Sequence, residues 1–397
     1  MHEWFTENWE NIKEVRSSKW RLLVFKNLII KMRIIQVSPD WFPKVSGYAL
    51  ASYNFSKYLT ENGHESMILT CYQKDLDTLG LNVVTVPVLF NLLDMHPFTY
   101  NLYPTLKNLQ KTHDLIIIHS YMYEMNARIA LLRKLGKIKI PVVLFFHGGL
   151  DPNMEPHVGY AVRLFKKVYD RIWGKFCFEY VDHIITVSKP DGELIRNKYN
   201  VPQEKITYIN NGTHIDQFYR KEHEKKRVIF IGRLVKWKGI EFFPRIMKVI
   251  PEDVEFLIVG DGPLENKIME LSRKYKNIKH VGDVPHSRIP ELLSISDVLI
   301  LPTFTEASPN AIIEASATGI PSISFSVGDV PNLLPSENGF AIKPYDIDEF
   351  CSKLSLLLEN DELREEMGKN ARRFAEEKLD YNIVAERVMK VLESLLV

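Results

Sequence analysis

Two glutamates beside a predicted helix start are the residues of this sequence best suited to bind hydroxyl groups. Glu306 and Glu314 lie eight positions apart in the stretch from Val298 to Gly319. This stretch begins as a short apolar strand and continues as a helix that Gly319 closes. Ionised carboxylates only accept hydrogen bonds, so both side chains suit a sugar or a ribose. The simpler alternative is that Glu306 complements the helix dipole and Glu314 is a solvated side chain.

The strand-to-helix junction between these glutamates predicts an anion site. Ser308 suits the N-cap of the helix, and Pro309 suits its first position, where a missing N–H costs nothing. The amides from Asn310 onward then lack partners within the helix, and the positive end of the helix dipole adds to them. Such helix starts bind phosphate readily. The sequence therefore predicts a phosphate here.

Two cations follow another predicted strand, at residues 227–231. Arg233 and Lys238 come at its carboxyl end, five positions apart, and Lys236 between them is expected to be solvated. A planar guanidinium and a compact ammonium together suit a diphosphate. The run lacks the residue order of a P-loop. The glycines at 260 and 262 do not complete a dinucleotide-binding loop either, because Glu265 stands where Gly or Ala should close that pattern.

The bulk composition favours two globular domains and no affinity for nucleic acid. The chain has 397 residues, too many for one core, and its net charge is only +1. Three separated cysteines (Cys71, Cys177 and Cys351) fit a reduced, cytoplasmic protein and no metal cluster. No apolar run is long enough to span a membrane, and the acidic N-terminus does not resemble a signal peptide.

From Met32 onward, strands and helices alternate as in a parallel α/β sheet. Gly47 follows the first strand and would let the backbone approach a ligand. His147 follows the apolar strand Val142–Phe146, at the end of the sheet where α/β folds bind ligands. The simpler interpretation is a buried histidine that is bonded to a loop carbonyl. Further strands are expected near residues 66–71, 83–88 and 115–119, and helices near 48–61, 103–111, 124–134, 159–180, 289–296, 362–378 and 381–396.

Taken together, these motifs resemble the family 4 glycosyltransferases. The pair Glu306 and Glu314, followed by Ala315 and a Gly-Ile-Pro turn, is similar to the E-x7-E signature of that family. The resemblance covers nearly the whole chain after residue 32. It implies the GT-B fold, with two Rossmann-like, doubly wound α/β domains facing each other across a cleft. It also implies that the C-terminal helix returns to the N-terminal domain.

The resemblance further implies transfer of a hexosyl unit from a nucleotide-diphosphate sugar to a hydroxyl acceptor, with retention of configuration. The acceptor would be a glycan, a lipid-linked molecule or a small molecule, and no cofactor or metal is expected. The predicted catalytic residues are Glu306 and His147. The diphosphate would be bound by Arg233, Lys238, Gly47, Ser308, Pro309 and Asn310, and the ribose and base by Glu314, Gly262 and Pro263.

Three positions depart from the family pattern. Ser46-Gly47 replaces Gly-Gly, His214 replaces an Asp, and Gly328-Asp329 replaces a second Gly-Gly loop. Two alternatives stay open on the sequence alone. One is another GT-B enzyme, such as a nucleotide-sugar epimerase or a phosphorylase; the other is a non-catalytic nucleotide-sugar-binding protein.

The expected division of the chain is an extension at 1–31, an acceptor-side domain at 32–218, a nucleotide-sugar-binding domain at 219–378 and a returning helix at 379–397. Residues 19–31 mix cations with apolar residues and could contact an anionic membrane surface. The resemblance implies the same for the basic helix at 159–180, because family members that modify lipids dock on the membrane through a basic and aromatic surface of this domain. The protein would then be cytoplasmic and peripheral on the inner face of a membrane. Alternatively, the helix packs its apolar side on the sheet, and 1–31 either packs as an extra helix or precedes a true start at Met32.

Overall fold

Two parallel β-sheets form the centre of the molecule. A computed structural model describes residues 31–42, 47–71, 75–92, 96–149 and 160–396. Within these residues, the first sheet contains seven strands in the order β3-β2-β1-β6-β7-β8-β9, and the second contains six in the order β12-β11-β10-β13-β14-β15. Both sheets therefore place later strands on either side of their first strand, which is the doubly wound arrangement.

The first sheet is buried on both faces. Ile34 and Ile117 belong to one apolar cluster, whereas their neighbours Ile35 and Ile116 belong to another. Alternate residues of a strand point to opposite faces, so helices must cover both. The strands of this half are β1 (Arg33–Val37), β2 (Glu65–Cys71), β3 (Asn82–Val86), β4 (Val88–Leu92), β5 (His96–Thr99), β6 (Leu115–His119), β7 (Val142–Phe146), β8 (His183–Thr186) and β9 (Ile206–Tyr208).

The helices of the first half connect these parallel strands. The predicted basic helix is interrupted by one π-helical turn at Asp170–Gly174. The helices are α1 (Gly47–Glu61), α2 (Leu102–Leu109), α3 (Glu124–Lys134), α4 (Tyr160–Tyr169), α5 (Lys175–Glu179) and α6 (Lys189–Tyr199).

The second half of the chain also alternates strands with helices around a sheet of its own. Its strands are β10 (Arg227–Ile231), β11 (Glu255–Val259), β12 (Ile278–Gly282), β13 (Val298–Leu301), β14 (Ser322–Phe325) and β15 (Gly339–Ile342). Its helices are α7 (Phe243–Ile246), α8 (Glu265–Lys274), α9 (Ile289–Ser294), α10 (Asn310–Thr318), α11 (Val330–Leu333), α12 (Ile347–Glu359) and α13 (Asp361–Lys378).

The last helix, α14 (Tyr381–Ser394), returns to the first sheet. Its residues Val384, Val388 and Leu392 are buried in the same cluster as Ile34 and Leu59. Burial of each such side chain contributes about 1.5–3 kcal/mol. The chain thus crosses between the two halves twice, and the crossings run side by side, because Thr213 and Asp380 form an isolated parallel bridge.

These features confirm the predicted fold class, including the returning helix. The structure adds a hairpin of β4 and β5, which pair antiparallel and were not predicted from the sequence. The extension at residues 1–30 lies outside the described residues, so its membrane contact stays a prediction. Among the residues that are described, no helix is both long and apolar enough to cross a membrane.

Candidate active site

A tight turn after β10 brings Lys238 to the end of β13. The turn, Lys236–Lys238, is one 3-10 helix that ends at Gly239. Gly239 has a φ of 72°, and a Cβ on it would lie 1.8 Å from the carbonyl oxygen of Pro302. Only glycine allows this backbone conformation and this approach together. The close packing therefore fixes where the ammonium group of Lys238 can reach.

Lys238 forms an ion pair with Glu306, which follows β13. The side chains are 19% and 13% exposed, so water screens the pair only in part. The loop around Glu306 packs tightly against Gly328, because a Cβ at Gly328 would lie 1.5 Å from the carbonyl oxygen of Glu306. A predicted phosphate-binding cation and a predicted sugar-binding carboxylate are thus direct partners in the structure.

The helix start at Pro309 differs from the prediction in one detail. Pro309, and not Ser308, is the N-cap of α10, and no side chain caps the helix. The predicted capping by Ser308 is wrong because its hydroxyl lies 3.4 Å from the amide nitrogen of Asn211 and serves as that amide's acceptor. An uncapped helix start leaves its first amides without intrahelical partners. The amides of Asn310 and Ala311 remain suited to an anion.

Asn211, from the first half of the chain, contacts this helix start across the cleft. Its side-chain amide donates to the carbonyl oxygen of Ser308 at 3.3 Å and to Oδ1 of Asn310 at 3.1 Å. These bonds join the crossover segment of the first half to the predicted anion site of the second. Asn211 was not among the predicted site residues.

Glu314 is paired with a histidine that the sequence analysis did not identify. Glu314 is 5% exposed, and its Oε1 lies 2.7 Å from Nε2 of His286. The hydrogen bond to Glu314 raises the pKa of His286 above its ordinary value, against the opposing effect of burial. His286 lies just beyond β12, whose carboxyl end reaches the same edge of the sheet as those of β10 and β13. Glu314, which is predicted to bind ribose, therefore already has a hydrogen-bond partner in His286.

On the other side of the cleft, His147 lies directly after β7. Its Nε2 is 3.1 Å from Nδ1 of His119, and its ring stacks on Phe145 with centroids 4.7 Å apart. Burial lowers the pKa of His147 to about 4 and that of His119 well below its ordinary value. Both imidazoles are therefore neutral near pH 7. The simpler interpretation, a histidine bonded to a loop carbonyl, is wrong in its partner, because His147 bonds to the side chain of His119. The contact of His147 with a substrate stays a prediction.

Two adjacent cavities bring most of the predicted site residues together. The larger, of 620 Å³, is lined by both halves of the chain, including Gly47, His147, Arg233 and Asn310. The smaller, of 400 Å³, is lined by the second half, with Lys238, His286, Glu306, Ser308, Pro309, Asn310 and Glu314. Asn310 borders both. The anion-binding groups thus lie between a cavity rich in carboxylates and one that reaches the first half of the chain.

Gly262 and Pro263 are the two predicted residues that line neither cavity. A Cβ on Gly262 would lie 2.7 Å from the carbonyl oxygen of Leu234. Leu234 in turn accepts a backbone hydrogen bond from Leu264. This loop therefore packs beneath the segment that carries Arg233, which itself is exposed.

The two halves also meet around Asp329 and Gly148. Asp329 accepts hydrogen bonds from the backbone of Lys189 at 3.1 Å and from the hydroxyl of Tyr208 at 2.5 Å. Gly148 lies so close to Ala307 that a Cβ on it would come within 2.5 Å of the alanine Cβ. Asp329, which departs from the family pattern, thus joins the two halves through these hydrogen bonds.

The described part of the chain contains no group of three or more His, Cys, Asp or Glu residues that could hold a metal ion. The expected absence of a metal stays a prediction.

The pair of His286 and Glu314 predicts a pH-dependent contribution to stability. The folded-state pKa of His286 is raised, so the pair stabilises the fold fully below about pH 6.5 and loses this effect as pH rises through the folded pKa. His286 is half exposed, which keeps the effect small. We expect His286→Ala to lower Tm by about 1 °C at pH 6 and by less at pH 9. Calorimetry with Glu314→Gln as the matched variant checks this; an equal change at both pH values would contradict it.

Two family models match nearly all of the region that the two sheets occupy. The model described as glycosyl transferases group 1 matches residues 213–374. The model described as glycosyltransferase family 4 matches residues 45–217.

Curated relatives and a solved structure extend the comparison. The phosphatidylinositol N-acetylglucosaminyltransferase GPI3 subunit of Saccharomyces cerevisiae is 24% identical over 320 residues, covering 75% of this chain and 68% of its own. N-acetyl-alpha-D-glucosaminyl L-malate synthase of Bacillus anthracis is 24% identical over 359 residues, covering 85% and 91%. The structure of HepE from Anabaena with UDP superimposes with a TM-score of 0.76 at 17% identity, covering 91% of this chain and 100% of that one.

Proposed function

The chain belongs to the family 4 glycosyltransferases, and from this premise we propose how its cleft performs the transfer. It is a GT-B glycosyltransferase whose donor is a nucleotide-sugar. The observation on which the proposal depends is that Lys238, Glu306 and the start of α10 line one cavity, which adjoins a second cavity bordered by His147.

The donor diphosphate lies between Arg233, Lys238 and the start of α10. During transfer the bond between the sugar and the diphosphate breaks, so negative charge grows on the departing diphosphate. Fixed cations and helix amides at this position stabilise that charge without a metal ion. Gly47, Ser308, Pro309 and Asn310 border the same space. Turnover that is unchanged by EDTA would support metal-independent transfer.

The hydroxyl groups of the donor are bound by the two carboxylates. Glu314 accepts hydrogen bonds from the ribose, in competition with His286, and Glu306 faces the hexosyl unit. His147 lies across the cleft as a neutral hydrogen-bonding group. The acceptor hydroxyl enters from the side of the first half, and the configuration of the sugar is retained, as in the family this chain belongs to.

A thermal-shift panel tests donor binding directly. A ligand that binds only the folded state raises Tm, so the correct nucleotide at about a hundredfold excess over its Kd should raise it by about 3 °C. The panel comprises UDP, GDP and ADP with their hexose derivatives, and the largest shift identifies the base. No shift with any of them would contradict the proposal. Transfer measured with the same donors separates a glycosyltransferase from an epimerase, which would alter the sugar without an acceptor.

The acceptor is proposed to be lipid-linked, with α4 and the π turn resting on an anionic membrane surface. Leu164, Val168 and Ile172 are about half exposed, although apolar side chains usually pack inward. The same helical segment packs other apolar residues, Tyr169, Cys177 and Phe178, in the core of the first half, so the three half-exposed residues are left on its outer side. The exposed cations Lys167, Arg171 and Lys175 follow the same four-residue spacing beside them.

Parallel apolar and basic rows are the pattern of a helix that lies in a membrane interface. The name of the yeast relative, which specifies phosphatidylinositol, supports a lipid acceptor. A cytoplasmic protein with this surface would bind the inner face of a membrane peripherally, because that leaflet carries negative charge.

Flotation with vesicles of phosphatidylcholine, with and without phosphatidylglycerol, tests this surface. Each cation near an anionic surface is worth about 1 kcal/mol, so replacing Lys167, Arg171 and Lys175 by Gln should weaken binding at least about tenfold. The matched control replaces three exposed lysines of the second half by Gln, namely Lys274, Lys369 and Lys378. Equal losses in both triple variants, or binding without phosphatidylglycerol, would contradict the proposed surface.

A further inference from the structure

We propose that Gln36 and His119 are positioning residues that fix the tautomer of His147, so that its Nδ1 presents a lone pair to a substrate hydroxyl. The proposal rests on the proposed function, because it assumes that the cavity beside His147 receives a sugar or an acceptor. The three residues come from adjacent strands, since β1, β6 and β7 are neighbours in the first sheet. Gln36 and His119 are both 0% exposed.

The orientation of the Gln36 amide is set by its surroundings. One end of the side chain lies 3.3 Å from the backbone carbonyl oxygen of Ser52 and close to the hydroxyls of Ser56 and Ser66, at 2.6 and 3.0 Å. A carbonyl oxygen can only accept a hydrogen bond, so this end must be the NH₂ group. The opposite end, Oε1, is therefore an acceptor, and it lies 2.9 Å from Nε2 of His119.

This acceptor determines the protons on both histidines. Nε2 of His119 must donate to Gln36, and a neutral imidazole carries only one N–H, so Nδ1 of His119 is an acceptor. Burial keeps His119 neutral by lowering its pKa. Nε2 of His147, at 3.1 Å, must then be the donor to His119. Nδ1 of His147 is left unprotonated and has no hydrogen-bond partner among the described residues.

Packing holds the His147 ring in this orientation. The ring stacks on Phe145, with centroids 4.7 Å apart, and contacts the ring of Tyr48 at 5.6 Å. It is nearly parallel to the His119 ring, with centroids 5.4 Å apart, as the hydrogen bond between their nitrogens requires. A ring that cannot turn presents the same nitrogen to the cavity in every molecule. Hydrogen bonds that set a tautomer in this way matter in other enzymes, because the wrong tautomer cannot accept the substrate proton.

Side-chain NMR tests the tautomer without any substrate. In ¹⁵N-labelled wild-type protein, long-range ¹H–¹⁵N spectra should show Nδ1 of His147 unprotonated and Nε2 protonated, with the signals assigned by their loss in His147→Gln. His119→Phe keeps a ring of similar size but removes the acceptor. The His147 signals should then shift toward a mixture of the two tautomers. His119→Gln restores an acceptor and should return them toward the wild-type positions.

Kinetics supply the second readout. Loss of one neutral hydrogen bond corresponds to about a three- to tenfold fall in kcat for His119→Phe, with recovery to within about twofold in His119→Gln. Far-UV circular dichroism and Tm verify that both variants are folded. A protonated Nδ1 in the wild-type protein would overturn the inference even if sugar transfer is intact. Unchanged His147 signals, or an unchanged kcat, in folded His119→Phe would overturn it as well.

Discussion

Replacing Lys238 with alanine is expected to lower kcat/KM for sugar transfer by about 10²–10³-fold. The ammonium group lies at the border of the cavity that the start of α10 also lines, where the departing diphosphate gains charge. Because that charge is larger in the transition state than in the bound donor, kcat should fall as well as affinity. The thermal shift produced by the correct nucleotide should also become smaller.

The matched control for this variant is Lys236→Ala. Lys236 belongs to the same 3-10 turn, but its side chain is exposed and lines neither cavity. Its replacement should leave kcat/KM within about twofold of the wild-type value, as is usual for exposed positions. Equal losses in the two variants would point to damage of the turn and would contradict the diphosphate assignment. All assays are run well below the Tm of each variant, so that unfolding does not lower the measured rates.

Most of the fold could be predicted because buried parallel strands and their helices have strong sequence patterns. Val142–Phe146 is apolar at every position, which indicates a strand covered on both faces. The strand at Val298–Leu301 has the predicted bounds for the same reason, and the helix at Glu124–Lys134 also has its predicted bounds. The hairpin of β4 and β5 was missed because it pairs antiparallel outside the two main sheets, and its sequence lacks a two-residue turn signal.

The site was only partly predictable because its polar partners are distant in sequence. Residue type and strand position indicated Arg233, Lys238 and the two glutamates, and the structure places all four at the two adjoining cavities. The partnership of Glu314 with His286 joins positions 28 residues apart, and no local pattern specifies it. The available signal was a polar residue near the carboxyl end of a parallel strand: His119 is the last residue of β6, and His286 follows the end of β12 by four residues. The N-cap was misassigned because Ser308 hydrogen-bonds to a partner in the other half of the chain.

Asp329, Asn211 and Gly148 hold the two halves together around the predicted site. Within this arrangement, each carboxylate that is predicted to bind hydroxyls instead pairs with a basic side chain. Breaking a partly buried ion pair leaves a charge without its partner, so we expect a bound donor to supply groups that take the place of these partners. We therefore expect the donor diphosphate to compete with Glu306 for Lys238.

This competition between the diphosphate and Glu306 for Lys238 leads to a specific prediction for Glu306→Gln. The substitution preserves size but removes the charge that holds Lys238 in the free enzyme, so Lys238 becomes available to the diphosphate. Donor affinity should stay the same or increase. The carboxylate would also stabilise positive charge on the sugar as its bond to the diphosphate breaks, so kcat should fall by about 10²–10³-fold. Glu291→Gln, on an exposed glutamate, is the control. The measurements are initial rates, which give kcat, and calorimetric titration, which gives donor affinity. Weaker donor binding with an unchanged kcat would refute the proposed role of Glu306 in the transfer step.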